Sequence, residues 1–135
     1  MDNIIRKNEN CKIDLVIERQ KNELWGRVTY NDNLITDNAS TVADLETKIK
    51  KLLEDFEDVD PNTVQFTYSY DIYALFEHFD FLKISNVAKH AGMNPTLLRQ
   101  YVSGAKNPSA EQAKRIEETL HRLANLIKNA VLVVN

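Results

Sequence analysis

The feature that most constrains the fold is a change of hydrophobic period near Asp71. Before this residue, short segments alternate apolar and polar side chains with a period of two, which indicates half-buried strands. After it, apolar residues recur every three or four positions, which indicates amphipathic helices. The chain of 135 residues is therefore predicted to be an α+β protein, with a sheet module at residues 1–70 and a helical module at residues 71–135.

The first module is predicted to have the order β-β-β-α-β, a small sheet with one helix packed on a single face. The segments that read as strands are residues 12–19, 24–30, 34–35 and 65–70. Polar residues at 20–23 and 31–33 fit the turns of an antiparallel meander.

The helix of this module is predicted to begin after Thr41, because Thr41 and Asp44 are spaced like a capping box. Its apolar face consists of Val42, Leu45, Ile49, Leu52, Leu53 and Phe56. Acidic side chains then cluster at residues 54–60. They have no fixed loop spacing, so we expect solvated carboxylates rather than a metal site.

The second module begins with a predicted helix that Asp71 caps and that carries apolar residues at i, i+3, i+4 and i+7. Its far end, residues 131–134, is entirely apolar. Because an exposed apolar tail promotes aggregation, we expect these residues to add a strand to a sheet edge, either of this chain or of a second copy.

Residues 84–104 carry the most specific pattern in the chain. Gly92 follows a short helical segment and suits a turn that needs a positive φ. Asn94 is a good N-cap, and Pro95 occupies the first position of the next helix, where its missing N–H is not needed. Gly104 ends that helix. The pattern predicts a helix-turn-helix inside a small helical bundle.

The second helix of this pair has an inward side, at Leu98 and Tyr101, and a polar outward side. An arginine can form two hydrogen bonds to guanine, and a glutamine can form two to adenine. A lysine beyond the helix suits a phosphate contact, which positions the protein on the DNA but does not select a base sequence. The predicted DNA-binding residues are Asn94, Thr96, Arg99, Gln100 and Lys106. The alternative is a helical bundle that never touches nucleic acid.

A last helix is predicted after Ser109, which forms a capping box with Gln112. Its apolar stripe is Ala113, Ile116, Leu120, Leu123 and Ile127. Bundles of about fifty residues are marginal alone. This helix and residues 131–134 are therefore the two candidate surfaces for dimerisation.

The formal net charge of −3 hides a division along the chain. Residues 1–82 contain nine Lys and Arg against seventeen Asp and Glu, whereas residues 83–135 contain eight against three. The basic segment favours a polyanionic partner, and the acidic segment favours a different one.

Residues 86–101, followed by Ser103-Gly104 and Pro108-Ser109, resemble the helix-turn-helix of phage-repressor (XRE-type) proteins. Together with the preceding β-β-β-α-β module, the chain is similar to HicB-like antitoxins. The resemblance implies a partly ribonuclease-H-like domain that binds a toxin, followed by a domain that binds operator DNA and represses its own operon.

The same resemblance implies the partners: double-stranded operator DNA, a small basic RNA-cleaving toxin, and a second copy in a homodimer or larger homo-oligomer. The alternative is a stand-alone DNA-binding transcriptional regulator whose first module dimerises or binds a small ligand. A short basic open reading frame beside the gene would favour the antitoxin.

Other functional classes are not indicated. There is no run of 18 apolar residues and no apolar export signal in the first ten residues, so we expect a cytoplasmic protein. Cys11 is the only cysteine, and three scattered histidines do not form a metal cluster.

We also expect no enzymatic activity and no cofactor. The chain has no Ser/His/Asp or Cys/His pattern, and its three glycines form no phosphate-binding loop. The first two predicted strands offer only Asp14 and Glu18 as carboxylates on a shared face, which is too few for two-metal nuclease chemistry.

Overall fold

The structure is a computed structural model that describes residues 10–135. The chain divides into two compact units, Met1–His78 and Phe79–Asn135. Residues 1–9, on which much of the expectation about export depends, lie outside the described residues.

The first unit is a four-stranded mixed sheet with helices, which confirms the α+β class. Over residues 10–78, its elements are β1 (Cys11–Gln20), β2 (Glu23–Tyr30), β3 (Asn33–Ala39), α1 (Val42–Glu57), a 3-10 turn (Pro61–Thr63), β4 (Val64–Tyr70) and α2 (Ile72–His78). The strand order is β3-β2-β1-β4. β2 runs antiparallel to β1 and β3, whereas β4 runs parallel to β1 because α1 carries the chain back across the sheet.

The core of this unit lies between the sheet and α1. Thr41 caps the helix as predicted, since its side chain accepts a hydrogen bond from the Asp44 backbone N–H at 3.1 Å. Leu15, Leu45 and Ile49 are fully buried. A Cβ at Gly26 would lie 2.7 Å from Leu45 Cδ2, so only glycine lets α1 approach β2 this closely.

Two residues of the predicted apolar face of α1 are not buried: Leu52 is half-buried, and Phe56 lies at the surface. Phe56 is 75% exposed. It lies in the last turn of α1, and the buried side chains of that helix end at Leu53. The last turn of α1 extends beyond the sheet surface against which the helix packs. The prediction that Phe56 packs inward is therefore wrong.

α2 groups with the sheet, although its sequence pattern placed it in the second module. The Asp71 carboxylate accepts hydrogen bonds from the backbone N–H of Ala74, at 2.7 Å, and of Arg19, at 2.9 Å. The Arg19 guanidinium lies 4.2 Å from the Tyr73 ring centroid and pairs with Glu77. The boundary between the units therefore follows His78 rather than Tyr70. The change of period at Asp71 marks a change of secondary structure, not of packing partner.

The second unit contains three helices: α3 (Ile84–Ala91), α4 (Pro95–Ser103) and α5 (Ala110–Lys128). Its buried apolar residues are Val87, Ala88, Ala91, Leu98, Tyr101 and Ile116. The predicted stripe on α5 is only partly covered, because Ile116 is buried and Leu120 half-buried while Ile127 is 73% exposed. Ala113 is exposed as well. α5 extends beyond the other helices of its unit. The expectation that the whole apolar stripe of α5 is buried is therefore wrong.

The apolar tail forms neither a helix nor a strand. Residues 131–134 are all at least 80% exposed, and β3 and β4 are the outer strands of the sheet that residues 10–135 form. The expectation of a C-terminal strand on this chain's own sheet is therefore wrong. Pairing of the tail with a second copy stays a prediction.

Among the helices formed by residues 10–135, we find none with the length and apolar character that a bilayer crossing requires.

Candidate nucleic-acid interface

The turn between α3 and α4 depends on a glycine. Gly92 has φ 66°, in the left-handed region, and its N–H donates to the carbonyls of Ala88 and Lys89. The next N–H, of Met93, also donates to Ala88, at 2.9 Å. These bonds satisfy the last carbonyls of α3 and turn the chain toward α4.

α4 begins and ends as predicted. The Asn94 side-chain oxygen accepts a hydrogen bond from the Thr96 N–H at 2.8 Å, and Pro95 stands at the first helical position. Gly104, with φ 83°, ends the helix and donates its N–H to Tyr101. The nine residues of α4 are thus fixed at both ends by local hydrogen bonds.

The two sides of α4 differ sharply in burial. Leu98 and Tyr101 are buried, as predicted. Thr96 and Arg99 are exposed on the other side, and Gln100 is half-buried. Within residues 10–135, the side chains of Arg99 and Gln100 make no hydrogen bond or ion pair. Their donors therefore remain available to a ligand.

The other two predicted residues lie at the ends of α4. Asn94 is exposed, but its side-chain oxygen is committed to the helix cap, so its amide N–H₂ group is the part left for a phosphate. Lys106 is exposed, and its backbone N–H donates to the Gln100 carbonyl at 3.1 Å. This bond holds the lysine close to the last turn of α4.

Ser103 is a further candidate on α4 that is not among the predicted DNA-binding residues. It is exposed and lies four residues after Arg99 and three after Gln100, on the same side of α4. Its hydroxyl donates to the Gln100 carbonyl at 3.2 Å and also accepts from the Ala105 N–H at 3.4 Å. Helical spacing alone was enough to find it.

The cations of the second unit are not neutralised by the unit itself. Phe79–Asn135 contains eight Lys and Arg against four Asp and Glu. All ion pairs found among residues 10–135 lie in the first unit. Arg122 instead donates to the His90 carbonyl at 2.8 Å, which caps the end of α3. An unpaired basic surface suits a polyanion.

No group of three or more His, Cys, Asp or Glu in the described range 10–135 is arranged to hold a metal ion.

Comparisons of the chain with protein-family models, with curated proteins and with solved structures find no match.

Proposed function

We propose that this protein is a DNA-binding transcriptional regulator similar to HicB-like antitoxins. In this proposal α3 and α4 are a helix-turn-helix that binds operator DNA, and the first unit neutralises a small basic RNA-cleaving toxin. The observation that carries the proposal is the outward side of α4, where Thr96, Arg99 and Gln100 are base-reading side chains that have no hydrogen-bond or ion-pair partner among residues 10–135.

The chemistry of this side fits the major groove, which admits an α-helix and presents distinct donors and acceptors at each base pair. Arg99 is the candidate for guanine, since its guanidinium can donate to O6 and N7 together. Gln100 is the candidate for adenine. Ser103 extends the same side by one turn, and Lys106 supplies a phosphate contact beyond it.

The first unit supports a different partner. Residues 10–78 contain fourteen Asp and Glu against seven Lys and Arg, so the unit repels nucleic acid and attracts a basic protein. The order β3-β2-β1-β4, with β1 and β4 parallel, is compatible with the ribonuclease-H-like part of the proposal.

The carboxylates of the sheet favour binding over catalysis. Asp14 accepts hydrogen bonds from the hydroxyls of Thr67, at 3.1 Å, and Ser69, at 3.1 Å to its nearer oxygen. Glu18 pairs with Arg27 at 2.9 Å. Both carboxylates are thus engaged by neighbouring side chains rather than converging on a common point.

The proposal includes a homodimer that forms through the end of α5. Leu126 is 62% exposed, and Ile127 and the tail are more so. Each such side chain gains about 1.5–3 kcal/mol when it is buried. A second copy offers the same apolar surface, and a two-fold dimer matches the two half-sites of a palindromic operator.

The experiment that tests DNA binding is a titration of the purified protein with DNA from upstream of its own gene. Arg99→Ala should weaken binding to the preferred sequence by about 1–3 kcal/mol, because a bidentate base contact is lost. The matched control is Arg115→Ala, which removes the same charge from the exposed surface of α5. If both variants lose the same DNA affinity, Arg99 contributes only its charge. If the wild-type protein shows no preference for any DNA sequence, the proposal is contradicted.

Lys106→Ala distinguishes a phosphate contact from a base contact. It should weaken binding to all sequences similarly and reduce the slope of log K against log salt by about 1. An unchanged slope would remove Lys106 from the interface.

Toxin binding is tested by co-expression with the neighbouring gene product and measurement of the complex. A basic protein that binds residues 10–78 and whose RNA cleavage stops on binding supports the antitoxin. If the neighbouring gene encodes no such protein, the stand-alone regulator is favoured.

A further inference from the structure

The two outer strands of the sheet differ in how they are protected. β3 carries Asp37, and its Asn33 and Asn38 side chains donate to Glu57 and Glu23. β4 (VQFTYSY) has no charged residue and no proline. Charges, prolines and covering segments are the usual means by which an edge strand avoids pairing with another chain. Within residues 10–135, no strand pairs with the outer edge of β4.

Backbone geometry identifies the groups that β4 presents outward. The Asp71 N–H donates to the Ile17 carbonyl at 2.9 Å, so the backbone groups at position 71 point toward β1. Because these groups alternate along a strand, those of Phe66 and Tyr68 point away from β1. An added strand would find donors and acceptors at these positions.

A row of aromatic rings runs along the same strand. The ring centroids of Phe66 and Tyr68 are 6.4 Å apart, and those of Tyr68 and Tyr70 are 6.1 Å apart with their planes 15° from parallel. Tyr68 is 44% exposed. The row gives the edge an apolar surface on which a side chain of an added strand can lie.

Charge varies along this row. The Tyr68 hydroxyl donates to Glu46 Oε1 at 2.8 Å, which brings a carboxylate to that ring. At the other end, Lys50 Nζ lies 5.7 Å from the Phe66 ring centroid, so that ring already has a cation. A further cation is therefore favoured beside Tyr68 and Glu46 rather than beside Phe66.

We propose that the outer edge of β4 binds an extended basic segment of a partner protein as an added strand, with an Arg or Lys side chain over Tyr68 and beside Glu46. The inference rests on the proposed function, in that the partner is the basic protein bound by the first unit. Backbone hydrogen bonds supply the affinity, and the cation supplies the specificity.

Charge also argues against a second copy as the occupant. Pairing β4 with β4 would bring together two units that each contain twice as many acidic as basic residues over residues 10–78. It would also put two copies of Glu46 near one interface. A basic segment is not repelled by the acidic unit or by Glu46.

The test uses the full chain and a peptide as long as β4 that alternates valine and arginine. The control peptide has the same sequence with alternate backbone amides methylated, which keeps the charge but prevents strand pairing. Amide hydrogen exchange is followed by NMR. The expected result is slowing of exchange at Phe66 and Tyr68 by about tenfold or more, with the methylated peptide binding at least about tenfold more weakly.

Equal binding of the two peptides, or no protection at β4, would overturn the inference. So would protection at Phe66 and Tyr68 that rises with protein concentration before any peptide is added, because the occupant would then be a second copy.

Two variants test whether the peptide binds at the edge formed by β4 or at the edge formed by β3. Tyr68→Arg should weaken peptide binding about tenfold or more, since it replaces the ring and repels the basic segment. Leu34→Arg adds the same charge to an exposed apolar position on β3 and should leave binding nearly unchanged. Equal effects would indicate general electrostatic attraction instead.

The same variants separate this inference from the proposed function. If the neighbouring basic protein still binds Tyr68→Arg with unchanged affinity, the edge is not the site although the antitoxin proposal stands. If that protein does not bind the wild type, the antitoxin proposal fails independently of the peptide result.

Discussion

The two units of this chain contrast in how completely they bury their apolar surface. Among residues 10–78, the first has a core of thirteen buried residues between a sheet and a helix, and Leu15, Leu45 and Leu53 are fully buried within it. The second buries six apolar residues among three helices and leaves the end of α5 and the tail exposed. The first unit is acidic and forms ion pairs, whereas the second is basic and forms none among the described residues.

A small helical unit can gain part of its stability from the partners that cover its apolar surface. A segment of fewer than sixty residues buries a smaller fraction of its surface than a larger domain does, so its free energy of unfolding is marginal. Surface that is exposed in one copy becomes core when a second copy covers it. The first unit, over residues 10–78, contains a larger core, and recognition at the outer edge of β4 is our proposal for it.

The largest effects are expected when one fully buried leucine is removed from each unit. Leu45→Ala and Leu98→Ala should each cost about 2–5 kcal/mol, through lost burial and the cavity left behind. Leu98→Ala should unfold the second unit and abolish DNA binding while the sheet unit remains folded. Leu45→Ala should leave DNA binding intact.

Thermal unfolding followed by calorimetry and by DNA titration checks both variants. A single transition that both substitutions shift equally would mean that the units do not unfold independently, and the contrast between them would lose its meaning.

The next largest effect concerns the exposed end of α5. Leu126→Glu should raise the Kd of the dimer at least about tenfold, because a side chain that gains about 1.5–3 kcal/mol on burial is replaced by a charge. Sedimentation velocity at several concentrations measures the change. The neighbouring Asn125→Ala, on the polar side of the helix, should leave the mass in solution unchanged. A monomeric wild type would contradict the dimer outright.

Helix caps give a matched pair of smaller effects. Thr41 caps α1 and Asn94 caps α4, each with one side-chain acceptor for a backbone N–H. Replacement of either residue by alanine should lower the free energy of unfolding of its own unit by about 1 kcal/mol. Chemical denaturation of each variant measures the loss. If Asn94→Ala weakens DNA binding without lowering stability, its amide contacts the DNA directly.

The smallest effect is a pH dependence in the first unit. Burial, and then the hydrogen bond to Glu46, raise the pKa of Tyr68 from 10.0 to about 12. A raised folded-state pKa means that the phenol contributes stability below about pH 10 and loses it as the pH rises toward 12. The contribution is reduced by solvent screening, because Tyr68 is partly exposed.

Absorbance titration of tyrosinate checks this value. Glu46→Gln should lower the pKa of Tyr68 but leave it above 10.0, since burial is the larger cause. A pKa at or below 10.0 in this variant would mean that Glu46, not burial, controls the phenol.

Local signals in the sequence predicted most of the elements. The caps at Thr41, Asn94 and Ser109 all form the expected hydrogen bonds, and Gly92 and Gly104 adopt the positive φ that their positions indicated. These features depend on a few neighbouring residues, so the sequence contains them in full.

Packing partners were harder to predict. α2 belongs with the sheet because Asp71 and Arg19 join it to β1, a contact across 52 residues that no local pattern contains. Phe56 and Ile127 continue apolar stripes that are periodic to their ends, but the surface opposite each stripe stops earlier. Periodicity reveals which side of a helix is apolar, not how far a partner extends.

Which side of α4 each candidate residue occupies could be predicted from helical spacing, whereas contact with DNA stays a prediction. Thr96, Arg99 and Gln100 share the outward side as spacing required, and Ser103 was missed on the same side. Asn94 was predicted both as the N-cap and as a DNA-binding residue; because its side-chain oxygen accepts the cap hydrogen bond, only its amide N–H₂ group is left for contact.

The length of α5 determines how far apart two α4 helices would lie in a dimer that joins at the exposed end of α5. Its 19 residues span about 28 Å as one uninterrupted helix, with Ile116 packed in the unit and Leu126 exposed. If two copies join at the exposed end, the separation of their α4 helices is fixed by a rigid rod rather than by a flexible connection. Operator half-sites in dimeric helix-turn-helix complexes lie about 34–36 Å apart, one turn of DNA. The number of residues between Ile116 and Leu126 would then select the spacing of the DNA sites.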